Sequence, residues 1–379
     1  MLKKIYNIIF VVAFLAVLAV PLLLTDFSDK GVSEDENRTL AAFPRVSVDG
    51  KWNDRFTAEF ETWFMDHMGL RQDLIAANAT LQFKGFNRML ETSSYLLGRN
   101  GDINYATEAM LKDYAHVNLR SEEQVARIGQ SYQTINNWLE AQGIEFYYVQ
   151  CFDKHSIYPE QFSDTVKQIG DVSKTDQVIG YLQENTTVNT VSMKVPMLEA
   201  KPQYEVYSNW GDPTHWTDRG AYMGYRYLLE RMNANRETTF AILQEDAYNI
   251  EIKNGGITLN KVIHQDDMLE YFTVREPNAQ KQEDKTVMGK WAEDRRHSRW
   301  ENAAAGNGVK VLIMGDSYFN NHLVDDLAES FSELWMVWGE YTKELPEIVA
   351  LYQPDIVIYE CAERVDRSSA VCDLAESLS

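Results

Sequence analysis

The C-terminal third of the chain repeats one pattern that leaves few folds open. Lys310-Val311-Leu312-Ile313-Met314, Leu334 to Trp338 and Asp355 to Tyr359 are short β-rich runs, and segments of helical pattern, Leu323 to Phe331 and Leu345 to Tyr352, lie between them. Short apolar runs of this kind suit strands buried on both faces, and strands alternating with helices leave a parallel sheet with crossover helices. The unit also occurs earlier. Ser121 with Gln124 makes a capping box, and Val125, Ile128, Tyr132, Ile135 and Leu139 form one stripe. Gly143 sits where a C-cap glycine belongs, and Ile144 to Val149 follows as a strand. Tyr222 to Met232 reads as a further helix, and Tyr95 to Gly98 as a strand entering an Asn100-Gly101 turn. The expectation is a doubly wound α/β fold with a mainly parallel sheet.

The amino terminus is of another kind. Lys3 and Lys4 precede an apolar run from Ile5 to Leu24, and Asp26 and Asp29 follow it. As one helix such a run spans a hydrocarbon core of about 30 Å, with the charge asymmetry pointing its start inward. The expectation is a membrane anchor with the remainder extracytoplasmic; the alternative is a signal segment cleaved to release a secreted protein. The chain then divides into 1–27, anchor or signal; 28–90, a linker and helical arm; and 91–379, the main domain, with a polar surface insertion at 265–307. In the arm, helical pattern runs from Phe56 to Phe83 and Gly69 is expected to break it.

A formal charge of −21 excludes a surface built to neutralise phosphates, so no nucleic-acid partner is expected. The three cysteines, Cys151, Cys361 and Cys372, are too few for a disulfide framework, which leaves a Cys361 to Cys372 bridge or buried thiols. They lack metal-ligand spacing, and the reading calls for no metal and no cofactor.

Two segments carry chemistry. Val311 to Met314 runs into Gly315-Asp316-Ser317-Tyr318, and in an open α/β sheet ligands bind beyond the carboxyl ends of the strands. A serine there needs a base. Trp210-Gly211-Asp212-Pro213-Thr214-His215-Trp216 supplies a histidine, with a carboxylate three positions earlier to fix its tautomer. The bland readings are a helix cap for Asp212 and a turn for Ser317.

These segments resemble the bacterial DHHW family and the alginate-acetylation type of SGNH-like protein. The resemblance extends to Glu36-Asn37-Arg38 with Leu40 and Pro44, to Asp66-His67 with Arg71, to Lys154 with Tyr158-Pro159, and to Pro354 to Ile358 with Glu363-Arg364. It implies an SGNH-like fold in circularly permuted order, since the Asp/His pair precedes the serine. It also implies Ser317 as nucleophile, His215 as base and Asp212 as orienting acid of an O-acetyltransferase or esterase acting on an envelope glycan. A membrane-bound O-acyltransferase is the implied partner. The alternative is a non-catalytic glycan-binding adaptor of such an assembly. One departure is that Glu360 and Cys361 stand near where ordinary SGNH enzymes place an oxyanion-hole asparagine. Gly339 is then a candidate for the hole's glycine, Lys154, Asn320 and Arg364 are candidates for its other donor, and Trp216 is a candidate platform for a sugar ring.

Overall fold

The computed structural model describes residues 2–28, 31–33, 38–90, 94–234, 236–259 and 262–378; Asp29, Glu36 and Asn37 lie outside the described residues. The chain forms two compact units, Met1–Glu91 with Thr258–Ile263, and Thr92–Ile257 with His264–Ser379.

In the first unit, Leu2–Leu23 is one helix, and its Lys3–Leu23 portion is long and apolar enough to cross a membrane. The arm contains helices Phe56–His67 and Arg71–Thr80. The left-handed residue between them is Leu70, with φ of 59°, and not Gly69. Gly69 is there for space: a Cβ at that position would lie 2.5 Å from the backbone carbon of Leu24. Trp63 is the arm's buried anchor, with Phe43 edge-on at 4.8 Å and Phe27 at 5.5 Å.

The second unit is built on a seven-stranded sheet. Its strands, in chain order, are β1 (Glu145–Cys151), β2 (Asn189–Ser192), β3 (Gln280–Lys281), β4 (Ser298–Glu301), β5 (Lys310–Gly315), β6 (Glu333–Trp338) and β7 (Ile356–Ala362). Across the sheet they run β3-β4-β6-β5-β7-β1-β2. β6, β5, β7, β1 and β2 are parallel, and β4 and β3 add an antiparallel edge. Val311 to Met314 of β5 and Ile356 to Ile358 of β7 are buried on both faces, as continuous apolar runs in a covered parallel sheet must be. In register, Met314 faces Tyr359 and Ala362 faces Cys151, so the ends of three neighbouring strands release their loops side by side.

Helix Glu122–Glu140 has the Ser121/Gln124 capping box, and Asp218–Asn233 begins at the cap residue Thr217. The segment 265–307 is less peripheral than its polarity suggests. Met268–Val274 pairs with Tyr248–Asn254, β4 enters the main sheet, and Met288, Trp291 and Trp300 are buried. Cys151, Cys361 and Cys372 are buried free thiols, so no bridge joins Cys361 to Cys372.

Candidate active site

β5 ends at Gly315, and Asp316 caps the short helix Ser317–His322 by accepting the Tyr318 N–H at 3.1 Å. Its second oxygen accepts the Ala362 N–H at 2.9 Å and an Arg367 N–H at 3.2 Å. One carboxylate thus ties the serine turn to the end of β7. The backbone N–H of Asp316 donates to Glu360 Oε2 at 2.7 Å. A Cβ on Gly315 would stand 2.8 Å from that oxygen, which explains a glycine at the strand's end. Burial, and then the charge of Asp316, push the Glu360 carboxyl well above the usual carboxylate range. Arg367, donating to the Glu360 carbonyl at 2.5 Å and to Asp316, supplies the buried countercharge.

His215 reaches the serine from the turn before helix Asp218–Asn233. That turn is held by a carboxylate from elsewhere: Asp267 Oδ2 accepts the N–H groups of Trp210 and Gly211 at 2.7 and 3.0 Å. Thr217 caps the helix, accepting from the Gly220 N–H at 3.2 Å, so Asp212 has another role. Asp212 Oδ2 lies 2.7 Å from His215 Nδ1, while its Oδ1 accepts from the Thr214 N–H at 2.8 Å and from the Thr214 hydroxyl. Partial burial pushes the Asp212 carboxyl up, but the hydrogen bonds from His215 and Thr214 outweigh that and hold it at about 2. On the far side of the ring, His215 Nε2 lies 2.7 Å from Ser317 Oγ. A proton on Nδ1, facing the carboxylate, leaves Nε2 to accept from the hydroxyl.

The other sequence candidates have different surroundings. Arg364 stands beside the pair, with Nη2 3.4 Å from His215 Nε2, its guanidinium 5.0 Å over the Tyr318 ring and Nη1 bonded to Asp153. Lys154 is buried with its ammonium on Asp102 at 2.7 Å and on the Ile103 carbonyl at 2.9 Å, which directs it away from an oxyanion role. Asn320 directs its amide to Asn321 at 3.4 Å. Gly339 makes room for Arg367, since a Cβ there would lie 2.2 Å from the guanidinium carbon. Trp216 is 1% exposed and meets Tyr318 edge-on at 5.1 Å, so its ring serves as core beneath His215 and has no face open to a sugar. Sequence reasoning missed the roles of Asp316, Tyr318, Asp267 and Arg367. Tyr318 packs edge-on to His215 at 5.2 Å and donates its hydroxyl to the Phe152 carbonyl at 2.8 Å. Its place beside Ser317 was the one signal for it.

With this geometry in view, the similarities to known proteins become informative. Residues 110–351, well over half of the chain, match the family described as SGNH hydrolase-like domain, acetyltransferase AlgX. No curated protein matches by sequence. Among solved structures, PatB1 of Bacillus cereus with a sulfonyl adduct is similar at 14% identity and a TM-score of 0.54, over 73% of this chain and 96% of that one. A DHHW family protein from Eubacterium siraeum is similar at 14% identity and a TM-score of 0.50, over 75% of this chain and 96% of that one. At these identities the structures speak to the fold, while the family match covers the strands β1 to β6 and the segments bearing Asp212, His215 and Ser317. The chain belongs to the SGNH hydrolase-like family of the acetyltransferase AlgX.

Proposed function

We infer that this protein is an extracytoplasmic O-acyltransferase, moving acetyl onto a cell-envelope or exported polysaccharide through an acyl-Ser317 intermediate. The observation that carries the reading is the continuous contact from Asp212 through His215 to Ser317 Oγ, at 2.7 Å on each side of the imidazole. A serine hydroxyl is a weak nucleophile until a positioned base takes its proton. In the proposed sequence Ser317 Oγ attacks the donor's carbonyl carbon as its proton passes to His215 Nε2. The tetrahedral intermediate collapses with return of that proton to the leaving group. A glycan hydroxyl then gives its proton to His215, attacks the acyl carbon and releases Ser317 reprotonated. Asp212 holds the tautomer and stabilises the imidazolium. The backbone N–H of Ser317 and the guanidinium of Arg364 are the proposed donors to the oxyanion.

The apolar helix Lys3–Leu23 supports a membrane-tethered domain, in keeping with a membrane-bound O-acyltransferase as the partner that supplies the acyl group. Transfer to water would make the same site a glycan esterase.

The test is intact-mass spectrometry after incubation with p-nitrophenyl acetate, for the parent, Ser317→Ala and His215→Ala. One acetyl group on the parent and none on either variant is the expected result. A folded parent that takes no adduct would sink the serine mechanism and favour an adaptor.

A further inference from the structure

Behind Arg364 lies a second cluster, joined to the Ser317 site through the Asp153–Arg364 ion pair. Asp153 follows β1 and Glu363 follows β7, brought together because Cys151 and Ala362 are paired in register, and His155 lies two residues after Asp153. One ligand atom from each of Asp153, His155 and Glu363 lies within 4.8 Å of the others, and the three residues are 1%, 3% and 3% exposed.

Their hydrogen bonds leave atoms unanswered. Asp153 Oδ1 serves Arg364 and, at 3.1 Å, the Tyr318 hydroxyl. Glu363 Oε1 accepts from Ser156 at 2.9 Å, and Oε2 from the Asp153 N–H at 3.0 Å. Asp153 Oδ2 and both ring nitrogens of His155 have no hydrogen-bond partner among the described residues. His155 Nε2 faces Glu363 Oε2 at 3.6 Å. Buried polar atoms are almost always paired, and an imidazole with two unpaired nitrogens beside two carboxylates asks for a shared partner. Of the two carboxylates, Asp153 is bonded to Arg364, and the neighbouring Lys194 is itself paired with Asp176 at 3.0 Å.

We propose that Asp153 Oδ2, His155 Nε2 and Glu363 Oε2 together bind one zinc-like divalent cation. One imidazole nitrogen with two carboxylate oxygens suits Zn²⁺, whose ligand atoms sit about 2.0 to 2.2 Å from the ion and so about 3.3 Å from one another. One ligand atom of each residue already lies within 4.8 Å of the others, and His155 Nε2 within 3.6 Å of Glu363 Oε2, so rotations about side-chain torsions suffice to bring three ligands to the spacing of a zinc site. The ion has a positioning role: it fixes one oxygen of Asp153, whose other oxygen holds Arg364 3.4 Å from His215 Nε2. This site stands whether or not Ser317 is acylated.

The experiment uses the full chain in detergent, stripped with a chelator, incubated with Zn²⁺, desalted and assayed by elemental mass spectrometry; Co²⁺ loading provides a spectroscopic check. The parent and Ser317→Ala should each retain about one equivalent. His155→Gln with Glu363→Gln should retain at least tenfold less, and Co²⁺ in the parent should give ligand-field bands that the double variant lacks. A parent that retains no zinc, or a folded double variant that retains as much as the parent, overturns the proposal. Should the double variant fail to fold, a parent with neither retained zinc nor ligand-field bands overturns it equally. Retention by Ser317→Ala, which cannot form the acyl-enzyme, keeps this test separate from that of the acyl-transfer mechanism.

Discussion

Replacing Asp212 by alanine and by asparagine should have unequal effects, and the structure indicates by how much. The carboxyl sits at about 2 against an ordinary 3.8, and a full unit corresponds to about 1.4 kcal/mol. The side chain is 51% exposed, so solvent screens much of that sum and about 1 kcal/mol remains, shared between the hydrogen bonds from His215 and those from Thr214. Alanine should therefore slow acylation by only about five- to tenfold, with water replacing the carboxylate. Asparagine is worse for a geometric reason. The Thr214 N–H and hydroxyl both donate to Asp212 Oδ1, so an amide would place its oxygen there and turn its NH₂ toward His215 Nδ1. Nδ1 must then accept, the proton moves to Nε2, and the ring presents a donor to Ser317 instead of a base. A loss of about ten-thousandfold is expected, as for other triads forced into the wrong tautomer. The assay is the burst of nitrophenolate from p-nitrophenyl acetate at fixed pH. Equal rates for the two variants would refute the tautomer argument, and rates within twofold of the parent would remove Asp212 from the triad.

Three further expectations come from neighbouring groups. Arg364→Lys keeps a cation near Asp153 but loses the planar fork, so acylation should fall about a hundredfold with little change in melting temperature; an unchanged rate would take Arg364 out of the oxyanion site. Arg367→Met leaves Asp316 buried without its countercharge, and denaturant titration should show about 3 to 5 kcal/mol of lost stability; a loss below about 1 kcal/mol would mean that Arg367 is not the counterion of the serine turn. Burial, joined by the charges of Asp325, Asp218 and Glu329, pushes the Asp326 carboxyl up to about 7. The folded protein therefore keeps a proton there that the unfolded chain releases near 3.8. Stability from this group is fully present below 3.8 and lost as the pH rises to about 7. Thermal melts of Asp326→Asn should lack that decline, recovering on the order of 2 kcal/mol at neutral pH, and parallel profiles for parent and variant would contradict it.

The sheet's central strands were legible because β5 and β7 are buried on both faces and so read as unbroken apolar runs. β4 was not, because Ser298-Arg299-Trp300-Glu301 carries no apolar period. Its Arg299 is tolerated inside by its pairing with Glu301 and by donation to the Asp284 carbonyl at 3.0 Å. Ser317, His215 and Asp212 could be named from chemistry and from family resemblance, and their meeting depended on three-dimensional registration. What holds them stayed hidden. Asp267 reaches back across more than fifty residues to Trp210 and Gly211, and Asp316 is tied to Ala362 and Arg367 from beyond β7. Long-range pairings of this kind have no spacing to read. Trp216 misled for a related reason: aromatic residues beside a base serve equally as core or as platform, and only burial distinguishes the two.

The position of β7 also has a consequence for how the protein is made. It lies between β5 and β1, yet both neighbours leave the ribosome before it. The sheet cannot close in order of synthesis; a slot must stay open in its middle until the later strand inserts. Until then Asp316 has neither the Ala362 N–H nor Arg367 to hold it, and the turn bearing Ser317 is unfastened. Fastening of the Ser317 turn is therefore a late event, completed only after β7 and the segment carrying Arg367 have joined the sheet.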